Sequence, residues 1–382
     1  MAWRYTMTEP LRLFILAGEP SGDRIAGDLV ARLKQRVPLA LAGVGGDELI
    51  GQGLVSLFKM SDLSVMGLSD VLRRLPLLLW RIGQTARAIH ASNPDIVVLV
   101  DAQDFSALLA RRLRFLGYRG RLILYVAPTV WARAPGRAAK LKRNFDEVLA
   151  VLPFEPAVMQ RLGGPATSYV GHPALAEQLP PRSPVDAGPL ILLPGSRDGE
   201  LRRHLPLFRT ALETLKGHPA ITEVVIPTLP ALQDRLLAAT ADWPVPVRVV
   251  ADRAARADLY GRAVLALSVA GTATLELALA QVPMVVSYVM DSHQAPVFAK
   301  LGSPQVSLPN IILGRPAVPE IIQANGDAGP VTAAVRTLLD DKKTRQDQIT
   351  VLGELGALME TGTAEFPRQD PADRILSHWR KA

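Results

Sequence analysis

The stretch LRLFILAGEPSGD at residues 11–23 indicates the fold, because an apolar run leads directly into a Gly-containing turn. The run 11–17 is followed by Gly and acidic residues, so it predicts a first buried strand and not a signal peptide. The same pattern returns at residues 191–198, where ILLPGSRD again joins an apolar run to a Gly turn. The repeat predicts two halves that each open with a strand, a turn and a helix.

Short β-rich runs alternate with amphipathic helical stretches along the chain. The predicted strands are 11–17, 39–44, 96–100, 122–127, 147–151, 191–193, 222–227, 247–250, 264–268 and 284–289. The predicted helices include 23–36, 104–116, 198–216 and 331–340. Strands separated by helix-length segments favour parallel sheets. The fold class is therefore α/β, with two doubly wound, Rossmann-like domains facing each other across a cleft.

The composition excludes several kinds of chemistry. The 382 residues contain no Cys, which excludes a disulfide scaffold, thiolate metal sites and a Cys nucleophile. No D-x-D triplet and no metal-ligand spacing of His occurs, so a metal-independent reaction is favoured.

The net charge of +7 suits nucleic acid, an anionic lipid surface or a phosphorylated substrate, and the 5% aromatic content weakens the nucleic-acid option. No apolar run reaches the ~18 residues of a membrane span, so a soluble, cytoplasmic protein is expected.

Two aspartates follow the strongest strand of the first half. Asp101 lies directly after the run 96–100, so it is placed at the carboxyl end of a buried strand. It is either a general base or a carboxylate paired with an Arg at the domain rim. Asp104 precedes the helical stretch that ends at Gly117, so it is most simply an N-cap.

The second half offers candidate groups for a phosphorylated ligand. The turn 194–197 presents backbone N–H groups at a helix N-terminus, and Arg197 adds a guanidinium suited to a diphosphate, although an ordinary turn would look the same. Gly271 lets a backbone approach a ligand, and Glu276 lies one turn into the following helix, where it could bind both ribose hydroxyls or serve only the helix dipole. Asn310 is either a ligand amide or a turn amide.

Segment 63–89 combines Leu residues and Trp80 with four arginines. An apolar face with basic flanks suits a bilayer interface, while a helix packed on the sheet is the alternative. Pro76 is expected to end or kink a helix here.

Ten short motifs, in order from about residue 12 to 323, together resemble the lipid-A-disaccharide synthases, inverting glycosyltransferases of the two-domain GT-B type. The matching motifs are Ala17-Gly18-Glu19-Pro20-Ser21-Gly22-Asp23, Val65-Met66-Gly67, Asp101-Ala102-Gln103-Asp104-Phe105, Val130-Trp131-Ala132, Leu152-Pro153-Phe154-Glu155, Gly171-His172-Pro173, Leu193-Pro194-Gly195-Ser196-Arg197, Gly271-Thr272-Ala273, Pro283-Met284-Val285-Val286 and Val306-Ser307-Leu308-Pro309-Asn310.

The resemblance implies a hexosyl transfer in lipid A biosynthesis. A 2,3-diacylglucosamine unit would move from its UDP derivative to 2,3-diacylglucosamine 1-phosphate, giving the β(1→6)-linked lipid A disaccharide 1-phosphate and UDP. Asp101 would be the catalytic base, with Glu19 as a second catalytic residue beside it. The implied residues on the acceptor side are Ser21, Gly22, Met66 and Trp131. Those on the UDP-donor side are Ser196, Arg197, Gly271, Thr272, Glu276 and Asn310.

The resemblance also implies an organisation and a location. Five prolines between 173 and 189 predict a linker. The acceptor-side domain is then 1–172 and the UDP-donor domain 190–360. A helix at about 365–382 packs on the first domain or exchanges with a partner subunit, so the chain is a monomer or a C-terminally swapped homodimer. The acyl-chain substrates imply peripheral attachment to the cytoplasmic face of the bacterial inner membrane, with no cofactor, no metal and no nucleic acid.

Six positions depart from the family pattern, and they concern acceptor positioning and acyl-chain preference more than reaction type. They are Gln103 for Pro, Ser106 for Asn, Ala127 for Ser, Arg133 for Trp, Ala270 for Ser and Val289 for Arg. The alternative function is another UDP-sugar GT-B enzyme, such as a lipid-linked N-acetylglucosaminyltransferase or a UDP-sugar 2-epimerase, and the epimerase would need no lipid. A two-lobed solute receptor would need a signal peptide, and a dehydrogenase would need a G-x-G-x-x-G turn that Gly43-Val44-Gly45-Gly46 does not supply.

Overall fold

The computed structural model describes residues 9–63, 68–132, 134–176 and 185–379, leaving aside the side chains of 68–72 and Arg253. The chain divides into two compact units. The first comprises Met1–Pro173 and Thr361–Ala382, and the second comprises Ala174–Glu360. Each unit is built on one parallel β-sheet, so the predicted α/β class is confirmed.

The strands of the first unit are β1 (Leu11–Ala17), β2 (Leu39–Val44), β3 (Ile96–Val100), β4 (Arg121–Tyr125), β5 (Glu147–Ala150) and β6 (Ala166–Tyr169). Those of the second unit are β7 (Gly188–Leu193), β8 (Ile221–Pro227), β9 (Val247–Val250), β10 (Leu265–Ser268), β11 (Met284–Val289) and β12 (Glu320–Gln323). The central strands β3 and β10 are buried along their whole length, which is why β3 is apolar at every position and β10 at every position except Ser268.

The helices connect and cover these strands. They are α1 (Pro20–Lys34), α2 (Asp47–Gly51), α3 (Leu68–Ser92), α4 (Gln103–Phe115), α5 (Arg137–Leu141), α6 (Glu155–Arg161), α7 (Asp198–Leu215), α8 (Gln233–Thr240), α9 (Arg253–Arg262), α10 (Ala273–Leu279), α11 (Gln294–Lys300), α12 (Leu308–Leu313), α13 (Ala328–Asp340), α14 (Lys342–Thr361) and α15 (Pro371–Trp379). In the described ranges, no helix is both long and apolar enough to cross a membrane.

The two sheets have different strand orders. The first runs β2-β1-β3-β4-β5-β6, the doubly wound order 2-1-3-4-5 extended by one strand. The second runs β12-β11-β10-β7-β8-β9, which is the Rossmann order 3-2-1-4-5-6 read from the opposite edge. Ligands of such sheets bind beyond the carboxyl ends of the strands where the order reverses. These positions lie between β1 and β3 in the first unit and between β7 and β10 in the second.

Helix α3 corrects one expectation. It continues through Pro76 over 25 residues, so of the two expected outcomes, an end or a kink, the end of the helix does not occur. Proline has no N–H to donate to the carbonyl oxygen four residues earlier in the helix. Because Pro76 is exposed, water can bond that oxygen instead. The helix packs its buried face, including Ile82 and Ile89, into the core of the first unit.

Candidate active site

The strand-order reversal of the first unit brings two turns together. β1 and β3 pair in parallel with Ala17 opposite Val100, so the residues that follow them are neighbours. A Cβ added to Gly18 would lie 2.5 Å from the Ala102 Cβ, and one added to Gly22 would lie 3.4 Å from the Asp101 Cβ. Glycine at these positions lets the start of α1 approach Asp101 closely.

Asp101 has a strained backbone and little solvation. Its φ of 55° and that of Ala102, 44°, are in the left-handed region that side-chain-bearing residues avoid. The turn is held by the Asp101 N–H, which donates to the Tyr125 carbonyl at 2.9 Å, and by the Ser106 hydroxyl, which donates to the Asp101 carbonyl at 2.9 Å. Such strain persists where surrounding contacts enforce it, as they often do in active sites.

The Asp101 carboxylate has the electrostatics of a base. Burial raises its pKa above the ordinary value, and the Ala102 N–H, which donates to the carboxylate, opposes this only in part. Among the described residues no Arg or Lys forms an ion pair with it, so they do not supply the partner of the Arg-paired alternative. A half-buried carboxylate without a cation has a raised affinity for a proton.

Asp104 is not the N-cap that the sequence indicated. α4 begins at Gln103 and its N-cap is Ala102, because the left-handed turn at 101–102 starts the helix two residues earlier than an Asp104 N-cap would. The Asp104 side chain is 84% exposed and pairs with Arg137. It is therefore a surface carboxylate on the first turn of α4.

Three other predicted residues, Glu19, Ser21 and Gly22, lie in the turn and the helix start that follow β1. Glu19 is the N-cap residue of α1 and Ser21 lies in its first turn, both exposed, while Gly22 is buried against Asp101. A cavity of about 650 Å³ opens beside this turn and is lined by residues that include Pro20, Arg24, Phe58, Lys59 and Met60. Met66 and Arg133 lie outside the described residues.

Trp131 follows β4, and it contacts residues of the turn that follows β5. Its indole N–H donates to Glu155 Oε1 at 3.4 Å, and its ring packs nearly perpendicular to the Phe154 ring with 5.4 Å between the centroids. β4 neighbours β3 in the sheet, so Trp131 belongs to the edge that also carries Asp101. Sequence reasoning missed Glu155 as a partner, because a contact between loops 24 residues apart leaves no periodic signal.

In the second unit, the turn after β7 differs from its prediction. The N–H groups of Ser196 and Arg197 donate to Glu200 Oε2 at 3.1 and 3.2 Å, and the Arg197 guanidinium donates to Oε1 at 2.8 Å. Burial opposes ionisation of Glu200, but these donors hold its pKa below the ordinary value. The expectation that these two N–H groups are open to an anion is wrong, because a carboxylate of the same helix already binds them. Arg197 itself remains 83% exposed.

The turn after β10 is open, as expected from its sequence. Gly271 and Thr272 are exposed, and a Cβ at Gly271 would meet no atom within 4 Å. Among the described residues no acceptor binds the N–H groups of Gly271 and Thr272. Glu276 is half-buried in α10, with Arg256 Nη1 3.6 Å from its Oε2. β7 and β10 pair with Leu193 opposite Ser268, so both turns leave the same edge of the sheet.

Asn310 holds a loop. It is buried in α12, where its Nδ2 donates to the Val318 carbonyl and to Glu320, and its Oδ1 accepts the N–H groups of Ala317 and Val318. All four hydrogen-bonding positions of the amide are therefore used inside the protein. The turn-amide interpretation describes this geometry, and any effect of Asn310 on a ligand passes through the loop that it supports.

Comparison with known proteins decides the family. The sequence model described as "Lipid-A-disaccharide synthetase" matches residues 13–366. The chain belongs to this family. A lipid-A-disaccharide synthase of Rhodopseudomonas palustris (strain HaA2) is 40% identical over 382 residues, which cover 97% of each chain. One of Rhodospirillum centenum is 39% identical, with 97% of this chain and 95% of the relative covered.

Solved structures show the fold of this family member. The glycotransferase of kitacinnamycin has a TM-score of 0.61 at 16% identity, covering 97% of this chain and all of the other. A UDP-GlcNAc 2-epimerase from Neisseria meningitidis has a TM-score of 0.58 at 10% identity, covering 97% and 100%. The lipid-A-disaccharide synthase family is a family of glycosyltransferases, and the predicted GT-B architecture is confirmed.

Proposed function

We propose that the protein transfers 2,3-diacylglucosamine from its UDP derivative to 2,3-diacylglucosamine 1-phosphate. The observation that carries the catalytic part is the environment of Asp101, a strained, half-buried carboxylate at the β1/β3 strand-order reversal with a raised pKa. The relatives named lipid-A-disaccharide synthase, 40% identical over nearly the whole chain, support the choice of substrates.

The reaction divides between the two units. On the first unit, Asp101 removes the proton of the acceptor 6-hydroxyl as that oxygen bonds to C1 of the donor sugar. Glu19, Ser21, Gly22 and Trp131 lie on the acceptor side, and we extend the same assignment to Met66. The bond between C1 and the UDP oxygen breaks, and UDP leaves with its electron pair.

On the second unit, the residues of the two strand-end turns act on the donor. The exposed Arg197 guanidinium, beside Ser196, stabilises the departing diphosphate. The open N–H groups of Gly271 and Thr272 bind a phosphate oxygen, and Glu276 binds the ribose hydroxyls. Asn310 supports this side by fixing the loop at 317–318. No metal takes part in these steps.

Replacing Asp101 with Asn tests the base. Because the base acts in the transition state, Asp101→Asn should lower kcat by roughly 10²–10⁴-fold and leave the affinity for the UDP donor nearly unchanged. Steady-state transfer rates, together with calorimetric titration of the donor, measure the two effects separately.

Asp104→Asn is the matched control, because the same change is made three residues away on an exposed carboxylate. It should keep turnover near that of the unmodified protein. Equal losses in both variants, or near-normal turnover of Asp101→Asn, would remove Asp101 from the role of base.

We also propose that the exposed side of α3 attaches the protein to the cytoplasmic face of the inner membrane. Leu75, Leu79 and Trp80 are 40%, 53% and 52% exposed, and Arg73 and Arg74 are exposed next to them. An apolar helix face flanked by basic residues suits the interface of an anionic bilayer.

Serine substitutions test this attachment. The double variant Leu75→Ser/Leu79→Ser should bind roughly tenfold less to vesicles that contain anionic phospholipid, since each Leu loses apolar area that the bilayer would bury. Leu229→Ser, at a 58% exposed leucine of the second unit, should bind as the unmodified protein does. Co-sedimentation with vesicles measures both, and an unchanged bound fraction for the double variant would exclude α3 as the attachment surface.

A further inference from the structure

A buried carboxyl group near the acceptor side has no part in the proposed reaction. Glu155 is 3% exposed at the start of α6, and burial raises its pKa to about 8 against the opposing effect of N–H donors from Leu152, Trp131 and Val151. In the parts of the chain that the structure describes, no Lys, Arg or His forms an ion pair with it. A buried carboxyl group without a cation costs stability that an apolar side chain of similar volume would not cost.

The contacts of Glu155 lead to Trp131. Its Oε2 accepts the Leu152 N–H at 3.0 Å within its own turn, while Oε1 accepts the Trp131 indole N–H at 3.4 Å. Phe154, the adjacent residue, meets the Trp131 ring at an interplanar angle of 78°. Glu155 therefore binds the N–H of the Trp131 ring, and its neighbour Phe154 packs against the same ring.

The loop that carries Trp131 has an unusual backbone conformation. It begins at Val126, whose φ of 77° is unusual for a β-branched residue, and Ala134 near its end has a φ of 49°. Such a backbone keeps its shape only through contacts with its surroundings. The turn 152–155 supplies contacts of this kind.

We propose that Glu155 is a positioning residue that orients Trp131 toward the acceptor, an inference that rests on the proposed function. Its carboxyl oxygen fixes the indole N–H, and the ring then presents a defined surface to the acceptor. The competing explanation is that Glu155 only closes its own turn through Leu152. The two differ in whether a change at Glu155 affects acceptor binding through Trp131.

A double-mutant cycle at positions 155 and 131 separates the two explanations. Glu155→Leu and Trp131→Phe should each raise the acceptor KM by roughly tenfold, the loss expected for one well-placed aromatic contact, with kcat and the donor KM nearly unchanged. The double variant should be no worse than Trp131→Phe alone, because both changes remove one interaction. Glu155→Gln should restore the acceptor KM, since its amide oxygen still accepts the indole N–H.

Fold changes that multiply in the double variant, or an acceptor KM that Glu155→Leu leaves unchanged, would overturn the proposal. A second readout needs no turnover: acrylamide quenching of the fluorescence that Trp131 contributes, taken as the difference from a Trp131→Phe background. Glu155→Leu should increase this quenching and Glu155→Gln should not. If the unmodified protein transfers no sugar, the proposed function fails while the quenching still decides the role of Glu155. If Glu155→Leu does not fold, Trp131→Phe can still overturn the proposal, because an unchanged acceptor KM in Trp131→Phe contradicts it.

Discussion

Ser106, which differs from the Asn that the family resemblance leads one to expect, lies at the turn that carries the proposed base. The side chain is fully buried and its hydroxyl donates to the Asp101 carbonyl, so the smaller residue still ties the left-handed turn to α4. The same turn is tied to β4 through the Asp101 N–H. Position 106 therefore contacts the proposed base through the backbone, and we expect its identity to affect how Asp101 is held.

Gly18 tests the close approach of the two turns. In Gly18→Ala the new Cβ would lie 2.5 Å from the Ala102 Cβ, so one of the turns must shift. We expect a loss of about 1–3 kcal/mol in the free energy of unfolding and a lower kcat, because the displaced turn carries Asp101. Gly51→Ala is the control, since a Cβ there meets no atom within 4 Å. Urea unfolding and transfer assays measure both, and equal behaviour of the two variants would contradict the packing described.

Single residues also show what the sequence could predict. Asp101 was placed correctly at a strand end because β3 is apolar at every position. Asp104 was misjudged because the left-handed turn at 101–102 is held by residues distant in sequence, with Tyr125 accepting the Asp101 N–H and Gly18 packed close to Ala102. The occupied turn at 196–197 could have been found, because Glu200 stands three residues after Arg197, the spacing of a capping box.

At the scale of elements, α15 is joined to the first unit by hydrogen bonds and ion pairs to one buried carboxylate, Glu147. Glu147 in β5 is 1% exposed and accepts from Arg374 Nε at 2.9 Å, from Arg374 Nη2 at 3.0 Å and from Ser168, and it bonds His378 at 2.5 Å. Burial disfavours its charge, but His378, Arg374 and Ser168 outweigh this and lower the pKa below 4.5. A carboxyl group whose pKa is lowered by folding adds stability at any pH above its pKa in the unfolded chain. This stability is lost as the pH falls through its pKa in the folded protein.

Breaking this group should loosen α15. Arg374→Ala leaves a buried carboxylate short of a partner and should lower the free energy of unfolding by up to about 3–5 kcal/mol at pH 7. Arg36→Ala removes only the exposed pairs with Asp370 and Asp373 and should cost about 0–1 kcal/mol. The difference between the variants should shrink as the pH falls through the lowered pKa of Glu147 in the folded protein, because Glu147 then takes up a proton. Hydrogen exchange of the α15 amides follows this, and no difference at pH 7 would contradict it.

The predicted strand bounds were right where the sequence of the strand is apolar or alternates. The bounds of β1, β2, β3, β9 and β11 agree with the predicted runs, since these strands are apolar or alternate cleanly. β6 and β12 were missed, and both are four-residue strands at sheet edges with polar or half-buried positions. α14 was missed because polar Arg345 and Gln348 share its buried face with Leu352, Leu355 and Met359.

At the scale of the whole molecule, two sheets of different strand order carry the two groups of site residues. The first order places Asp101 and the Gly18–Gly22 turn at its reversal, and the second places the turns at 194–197 and 270–272 at its own. Topology thus explains why residues far apart in sequence form each group. The sequence repeat at 11–23 and 191–198 predicted this division, while the strand orders required the structure.

The measurement that tests the central claim most directly is product analysis by mass spectrometry. Purified protein is given UDP-2,3-diacylglucosamine and 2,3-diacylglucosamine 1-phosphate in detergent with EDTA. The account predicts a disaccharide 1-phosphate and an equal amount of UDP, with no requirement for added metal. Donor binding without a disaccharide, or formation of an epimerised UDP-sugar in its place, would contradict it.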